Sequence, residues 1–144
     1  MSLKTVRKSL KELLEQDEDL QNMFDTFLIE KRPTPNQLDA ITIRKLNSEE
    51  ADEEFGSNYK TKAIYTFEIV ATMKRSNIDE GDEAQILADQ YIREAIKSDI
   101  DLDGTIAFMR IGRTAWGIDV ELNDLYYTVV PMDCIINETP TDRN

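Results

Sequence analysis

Between Ala63 and Met73 the chain alternates without a break: Ala63, Tyr65, Phe67, Ile69, Ala71 and Met73 interleave with Ile64, Thr66, Glu68, Val70 and Thr72. A period of two sustained over eleven residues specifies a long β-strand, because successive side chains of a strand point to opposite faces. One face of that strand is almost wholly apolar. A sheet built around it must therefore be covered on that side by another layer.

Helical spacing supplies the layer. Leu3, Val6, Leu10, Leu13 and Leu14 recur every three or four residues, which predicts an amphipathic helix with Lys4, Lys8, Lys11 and Glu12 off the apolar stripe. The polar run Gln16–Asp19 interrupts it, and Leu20, Met23, Phe24, Phe27 and Leu28 resume the period as a second short helix or a bent continuation. Pro33 and Pro35 then end helical structure. A central helix is expected after the turn-forming SNIDEGD run, with Asp82 as its cap, Ala84, Leu87, Ala88, Tyr91 and Ala95 on its stripe, and Ile92 and Ile96 beside them.

Four further segments complete the pattern. Leu38 to Leu46 reads as a strand with Ile41 and Ile43 on one face; Thr105 to Ile111, Trp116 to Leu122 and Leu125 to Ile136 read as three more, the last with Pro131 at an edge or a bulge. Asn47 to Lys60 is acidic and polar and reads as a long exposed loop, with a helical turn over SEEADEE as the alternative, and Asn137 to Asn144 as a frayed tail. The expected fold is α+β: one domain over residues 1–144, ordered from about 3 to 136, in which a mostly antiparallel sheet of four to five strands carries the N-terminal and central helices on one face.

The chemistry open to this chain is narrow. It contains no His, which excludes Ser/His/Asp and Cys/His nucleophilic systems and His-containing zinc sites. Its one cysteine, Cys134, permits neither an intrachain disulfide nor a Cys-based zinc site, and reads as a small strand hydrophobe. The five glycines are scattered, so there is no phosphate-cradling loop. Seventeen Lys and Arg against 29 Asp and Glu give a net charge of −12, which repels nucleic acid and anionic membrane surfaces. A charged N-terminus without a signal-length apolar stretch, and the lack of any long apolar run, predict a soluble, unexported chain.

Three features remain as candidates. Asp99, Asp101, Asp103 and Gly104 resemble the first half of a calcium loop, but the position that needs a bidentate Glu is Arg110 and a strand follows where a helix belongs, so the run is read as a solvated connection. It is also the run on which a carboxylate and metal dependent hydrolase would be built. Glu49, Glu50, Asp52, Glu53, Glu54 and Phe55 form an acidic loop longer than a hairpin needs, a candidate assembly or lumen element. Trp116, Tyr126 and Tyr127 are candidate interface aromatics; adjacent Tyr126 and Tyr127 must face opposite sides of the sheet. No catalytic residue, metal or cofactor is expected.

The order amphipathic helix, proline turn, strand, long polar segment, long strand, helix and strand pair, over about Leu3 to Ile136, resembles the tail terminator proteins of long-tailed bacteriophages, the lambda type included. The resemblance is one of architecture and composition, since the family carries no short signature. It implies a non-enzymatic homo-oligomeric ring, a hexamer being one form, that caps the tail tube, ends its polymerisation and joins tail to head. The implied partners are the tail tube protein and head-completion or neck proteins, with DNA only passing through the lumen and no membrane. The implied location is the host cytoplasm during assembly and then the virion. A negative lumen suits that conduit, because it keeps the passing duplex from sticking. The alternative is a cellular dimeric α+β adaptor or small-ligand-binding module, whose mark would be an enclosed apolar pocket between helix and sheet.

Overall fold

A computed structural model describes residues 2–55, 58–102, 108–119 and 124–138. It confirms the α+β class: among the described residues three α-helices lie on one side of a six-stranded, mostly antiparallel sheet. Helix α1 spans Leu3–Gln16 and α2 spans Glu18–Met23, followed by β1, Thr26–Ile29. Strand β2 is Ala40–Phe55, β3 is Asn58–Lys74, α3 is Ile78–Ser98, β4 is Phe108–Ile111, β5 is Ala115–Ile118 and β6 is Leu125–Glu138. The sheet runs β1-β2-β3-β6-β4, with β5 also paired to β6.

Helix α1 starts where the Ser2 hydroxyl accepts the Thr5 amide at 3.2 Å, and its stripe buries Val6, Leu10 and Leu14. The helical resumption expected over Leu20–Leu28 holds only to Met23. Phe24 leaves the helix, and Thr26–Ile29 becomes β1, aligned parallel with β2 so that Phe27 lies opposite Ile41 and Ile29 opposite Ile43. A short apolar run fits either period, and here pairing with a distant strand decides it. At the proline turn, Pro35 opens a single 3₁₀ turn closed reciprocally by Thr34 and Gln37.

The long alternation is β3, and its apolar face is fully used: Phe67, Ile69, Ala71 and Met73 are all sealed from solvent. Opposite them on β6 stand Met132, Val130, Thr128 and Tyr126. The other face, carrying Thr66, Glu68, Val70, Tyr127, Val129 and Asp133, is half-buried, and is crossed by two ion pairs, Arg44–Glu68 at 3.4 Å and Arg110–Asp133 at 2.8 Å.

Two corrections concern α3. Its cap is Asn77, whose side chain accepts the Glu80 amide at 2.9 Å, and not Asp82, so the helix begins five residues earlier than that cap implies. Its buried stripe is Gly81, Ala84, Ala88, Ile92, Ala95 and Ile96, whereas Leu87 and Tyr91 are only partly buried. Small residues at the contact let the helix lie close to the sheet, which turns the larger Leu87 and Tyr91 toward the helix flank.

Pro131 is not on an edge. Strand β6 is flanked by β3 on one side and by β4 and β5 on the other. The Pro131 carbonyl accepts the Gly112 amide at 2.7 Å, so the nitrogen of the same residue faces the same side, where residues 112–114 interrupt the ladder between β4 and β5. The missing donor thus falls in a gap. The outer parts of the two strands expected from Thr105 and to Leu122, and the tail from 139, lie outside the described residues.

Candidate assembly surface

The segment read as a long loop, Asn47–Lys60, is instead a β-hairpin arm. Strand β2 does not stop at Leu46 but continues to Phe55, and β3 begins at Asn58, with the pair in register from Asn47 opposite Thr66 to Phe55 opposite Asn58. Acidic residues are poor strand formers taken singly, but the backbone pairing places Glu53 opposite Lys60 and Ala51 opposite Lys62. Glu49, Glu50, Asp52, Glu53, Glu54 and Phe55 therefore all lie on one strand of the arm, and its lysines on the other.

The arm outruns the sheet. The last β3–β6 pair is Thr61 with Glu138, and the β1–β2 pairing ends at Ile29 with Ile43. Glu30 closes that edge: its Oε1 accepts the Lys45 amide at 2.8 Å and pairs with Arg7 at 2.8 Å. Beyond Lys45 the outer edge of β2 has no strand partner among the described residues. Just past that point β2 holds one residue more than β3, Leu46, which is a β-bulge.

The aromatic candidates divide. Tyr126 and Tyr127 do face opposite sides, but Tyr126 is 1% exposed and its side chain belongs to the core. Tyr127 is half-buried on the uncovered face, where burial and then the neighbouring Asp119 carboxylate push its phenol up. Trp116 is on the surface, 55% exposed, and so is Ile118 at 48%. These two stand opposite Thr128 and Tyr126, hence on the helix side of the short edge strand β5.

What fixes β5 is polar and was not read from the sequence. The Gln85 amide donates to the carbonyls of Gly117 at 2.9 Å and Tyr127 at 3.2 Å, and the Thr128 hydroxyl donates to the Gln85 carbonyl at 3.0 Å. Arg93 pairs with Asp89 at 2.8 Å and donates to the Gly112 carbonyl at 2.7 Å and the Thr114 hydroxyl at 2.6 Å, and Thr114 bonds Asp89 in turn. Only the i, i+4 spacing of Asp89 and Arg93 could have signalled this. The network ties the β4–β5 connection to α3 and holds Trp116 in place.

The remaining candidates give little chemistry. Asp103 and Gly104 lie outside the described residues, the Leu102 amide donates to the Asp99 carbonyl at 3.1 Å to close a turn, and Arg110 sits in β4 paired to Asp133. Among the described residues no group of three His, Cys, Asp or Glu is arranged to hold a metal ion. Cys134 is fully buried, and burial, then Asp133, pushes its thiol up to about 12. A groove of about 580 Å³ runs between α2 and α3, lined by Met23, Leu87 and Tyr91 and rimmed by Asp19, Glu83 and Arg75. No helix is long and apolar enough to cross a membrane among the described residues.

No protein-family model matches the chain, and no curated protein matches it in sequence. In structure it is similar to a chain of the virion of a native gene transfer agent particle, with a TM-score of 0.50, over 92% of this chain and 95% of that one, at 10% identity. At that identity the likeness is one of fold, and it extends over nearly the whole of both chains.

Proposed function

We propose that the protein is a structural component of a phage-like virion, a subunit of the ring that caps the tail tube, ends tail polymerisation and joins the tail to the head. The observation that carries this reading is the fold shared, nearly end to end, with a chain of a gene transfer agent virion. The surface features suit it. A projecting two-stranded arm and an exposed tryptophan on a fastened edge strand are the parts by which a small rigid domain grips its neighbours. A net charge of −12 favours a conduit that DNA passes without adhering.

On this reading the protein works through its surfaces and catalyses nothing. Its partners are further copies of itself, the tail tube protein and head-completion or neck proteins, assembled in the host cytoplasm and retained in the particle. The small-ligand reading gains no support from the α2–α3 groove, which lies at the surface with charged residues at its rim.

The test is genetic. Disrupting the gene in the phage or phage-like element that encodes it should give tails of unregulated length and heads without tails, seen by electron microscopy. Intact particles with tails of normal length would overturn the proposal.

A further inference from the structure

We infer that the groove between α2 and α3 docks a basic amphipathic segment of another protein, which seats an apolar side chain on Met23, Leu87 and Tyr91 and sets Lys or Arg residues against Asp19, Glu80 and Glu83. The inference stands apart from the ring reading, since it needs only one folded subunit.

The apolar floor exists because α3 carries more apolar surface than the chain covers. Gly81, Ala88 and Ala95 are buried on its sheet side, and they leave Leu87 and Tyr91, four residues apart and so neighbours on the helix flank, only partly buried. The element beside that flank is α2, but it has six residues and stops at Met23, because Phe24 leaves the helix and is buried in the core. What remains is a groove of about 580 Å³. From Glu80 to Tyr91 it follows α3 for roughly 16 Å, three turns of helix, a shape that suits a peptide segment laid along it.

Charge selects the chemistry of that segment. Asp19 stands on the α2 wall and Glu80 and Glu83 on the α3 wall, all three exposed. The one cation among the lining residues is Arg75, and it is already engaged: its guanidinium donates to the Asp39 carboxylate at 2.6 Å and to the Lys74 carbonyl at 2.7 Å. The Glu80 carboxylate accepts the Ser76 hydroxyl at 3.0 Å, while Asp19 and Glu83 make no side-chain hydrogen bond or ion pair among the described residues. Three carboxylates thus line an apolar floor with no cation of their own. Acidic segments and nucleic acid are repelled from such a site. Lys and Arg meet both of its demands, since their aliphatic stems lie on apolar surface while their charged heads reach the carboxylates.

A selection experiment with the full chain tests this. A randomised dodecapeptide display library is panned on wild type in the presence of excess soluble Asp19→Lys/Glu83→Lys, which removes peptides that bind elsewhere. Recovered sequences should carry two or more Lys or Arg around a large apolar residue. Amide shifts of the isotope-labelled chain with the best such peptide should move at Asn22, Met23, Leu87 and Tyr91. Affinity should fall about tenfold or more in Leu87→Ala/Tyr91→Ala and roughly fivefold in Asp19→Asn/Glu83→Gln. Asp19 and Glu83 are exposed, so the charge variants remain informative if the floor variant loosens the helix pair. The proposal is overturned if no sequence survives the competition, if the recovered peptides are neutral or acidic, or if the shifts spread over the acidic surface at large. Shifts at the same residues on concentrating wild type alone would make a second copy the occupant and overturn it as well.

Discussion

Tyr126 of β6 packs directly on the backbone of Gly81 in α3: a Cβ added at Gly81 would lie 2.1 Å from the tyrosine Cε1. The ring is sealed in the core, so it can yield only by shifting its packed neighbours. Alanine in place of a mid-helix glycine ordinarily gains about 1 kcal/mol, while a methyl forced into a packed site costs about 1–3 kcal/mol. Gly81→Ala is therefore expected to lower the melting temperature, and Gly81→Ala/Tyr126→Leu to recover part of the loss. A more stable Gly81→Ala would show that the helix can move away from the sheet.

Asp17 joins α1 to α2, and its carboxyl is raised above 3.8 by burial, then by Asp19, Glu94 and Glu18. The folded state holds this proton more tightly than the unfolded chain, so stability falls as pH rises from about 3.8 through the folded value, and the ionised group is a cost at neutral pH. Asp17→Asn, an equally good capping residue, should melt higher than wild type at pH 7, with the difference shrinking below pH 4. A lower melting temperature at pH 7 would contradict this.

Cys134 should resist thiol reagents until the protein unfolds, since its thiol is buried and titrates at about 12. The unfolded thiol ionises near 9, so between about pH 9 and 12 the folded state holds a proton that the unfolded chain has lost. Stability should fall with rising pH in that window, with a slope for this group of about 1.4 kcal/mol per unit at most. Cys134→Ala should flatten the curve relative to wild type by that component, as measured by denaturant midpoints. Equal slopes would place the thiol in contact with water.

Shortening the arm between Glu50 and Ala63 should leave the melting temperature within about 3 °C of wild type, because among the described side chains of these two strands the buried ones start at Ala63 and end at Ile43. A collapse in stability would mean that the arm helps hold the domain together.

How much of this was readable in advance depended on whether a residue's environment is set locally. The alternation over Ala63–Met73 and the stripe Val6, Leu10, Leu14 survive intact because each buries one continuous face, and from them the α+β layering follows. Thr26–Ile29 was misread because four residues carry too little period to separate strand from helix, and its partner is β2, more than ten residues away. The arm was misread because five carboxylates lower strand propensity, a local measure, while register against β3 is not local at all. For the site, alternation correctly separated Tyr126 from Tyr127, yet only the position of α3 reveals which of them is covered. Trp116 stood out by its side chain alone, whereas the Gln85, Asp89, Arg93 and Thr114 contacts that fix its strand exist only once α3 has docked.

The single extra residue at Leu46 has a consequence for how the arm could be re-aimed. A bulge bends its strand and increases the local twist, and this one sits where β2 leaves the sheet, between Lys45 opposite Phe67 and Asn47 opposite Thr66. Excising Leu46 would preserve every cross-strand partner on both sides of it and still swing the arm onto a new bearing. Direction and composition are thus inherited separately: the acidic run on β2 is one feature, and one half-exposed leucine at the bulge sets the direction in which the strand leaves the sheet. Related chains could re-aim this arm by gaining or losing that one residue, with the cross-strand pairing on either side of it unchanged.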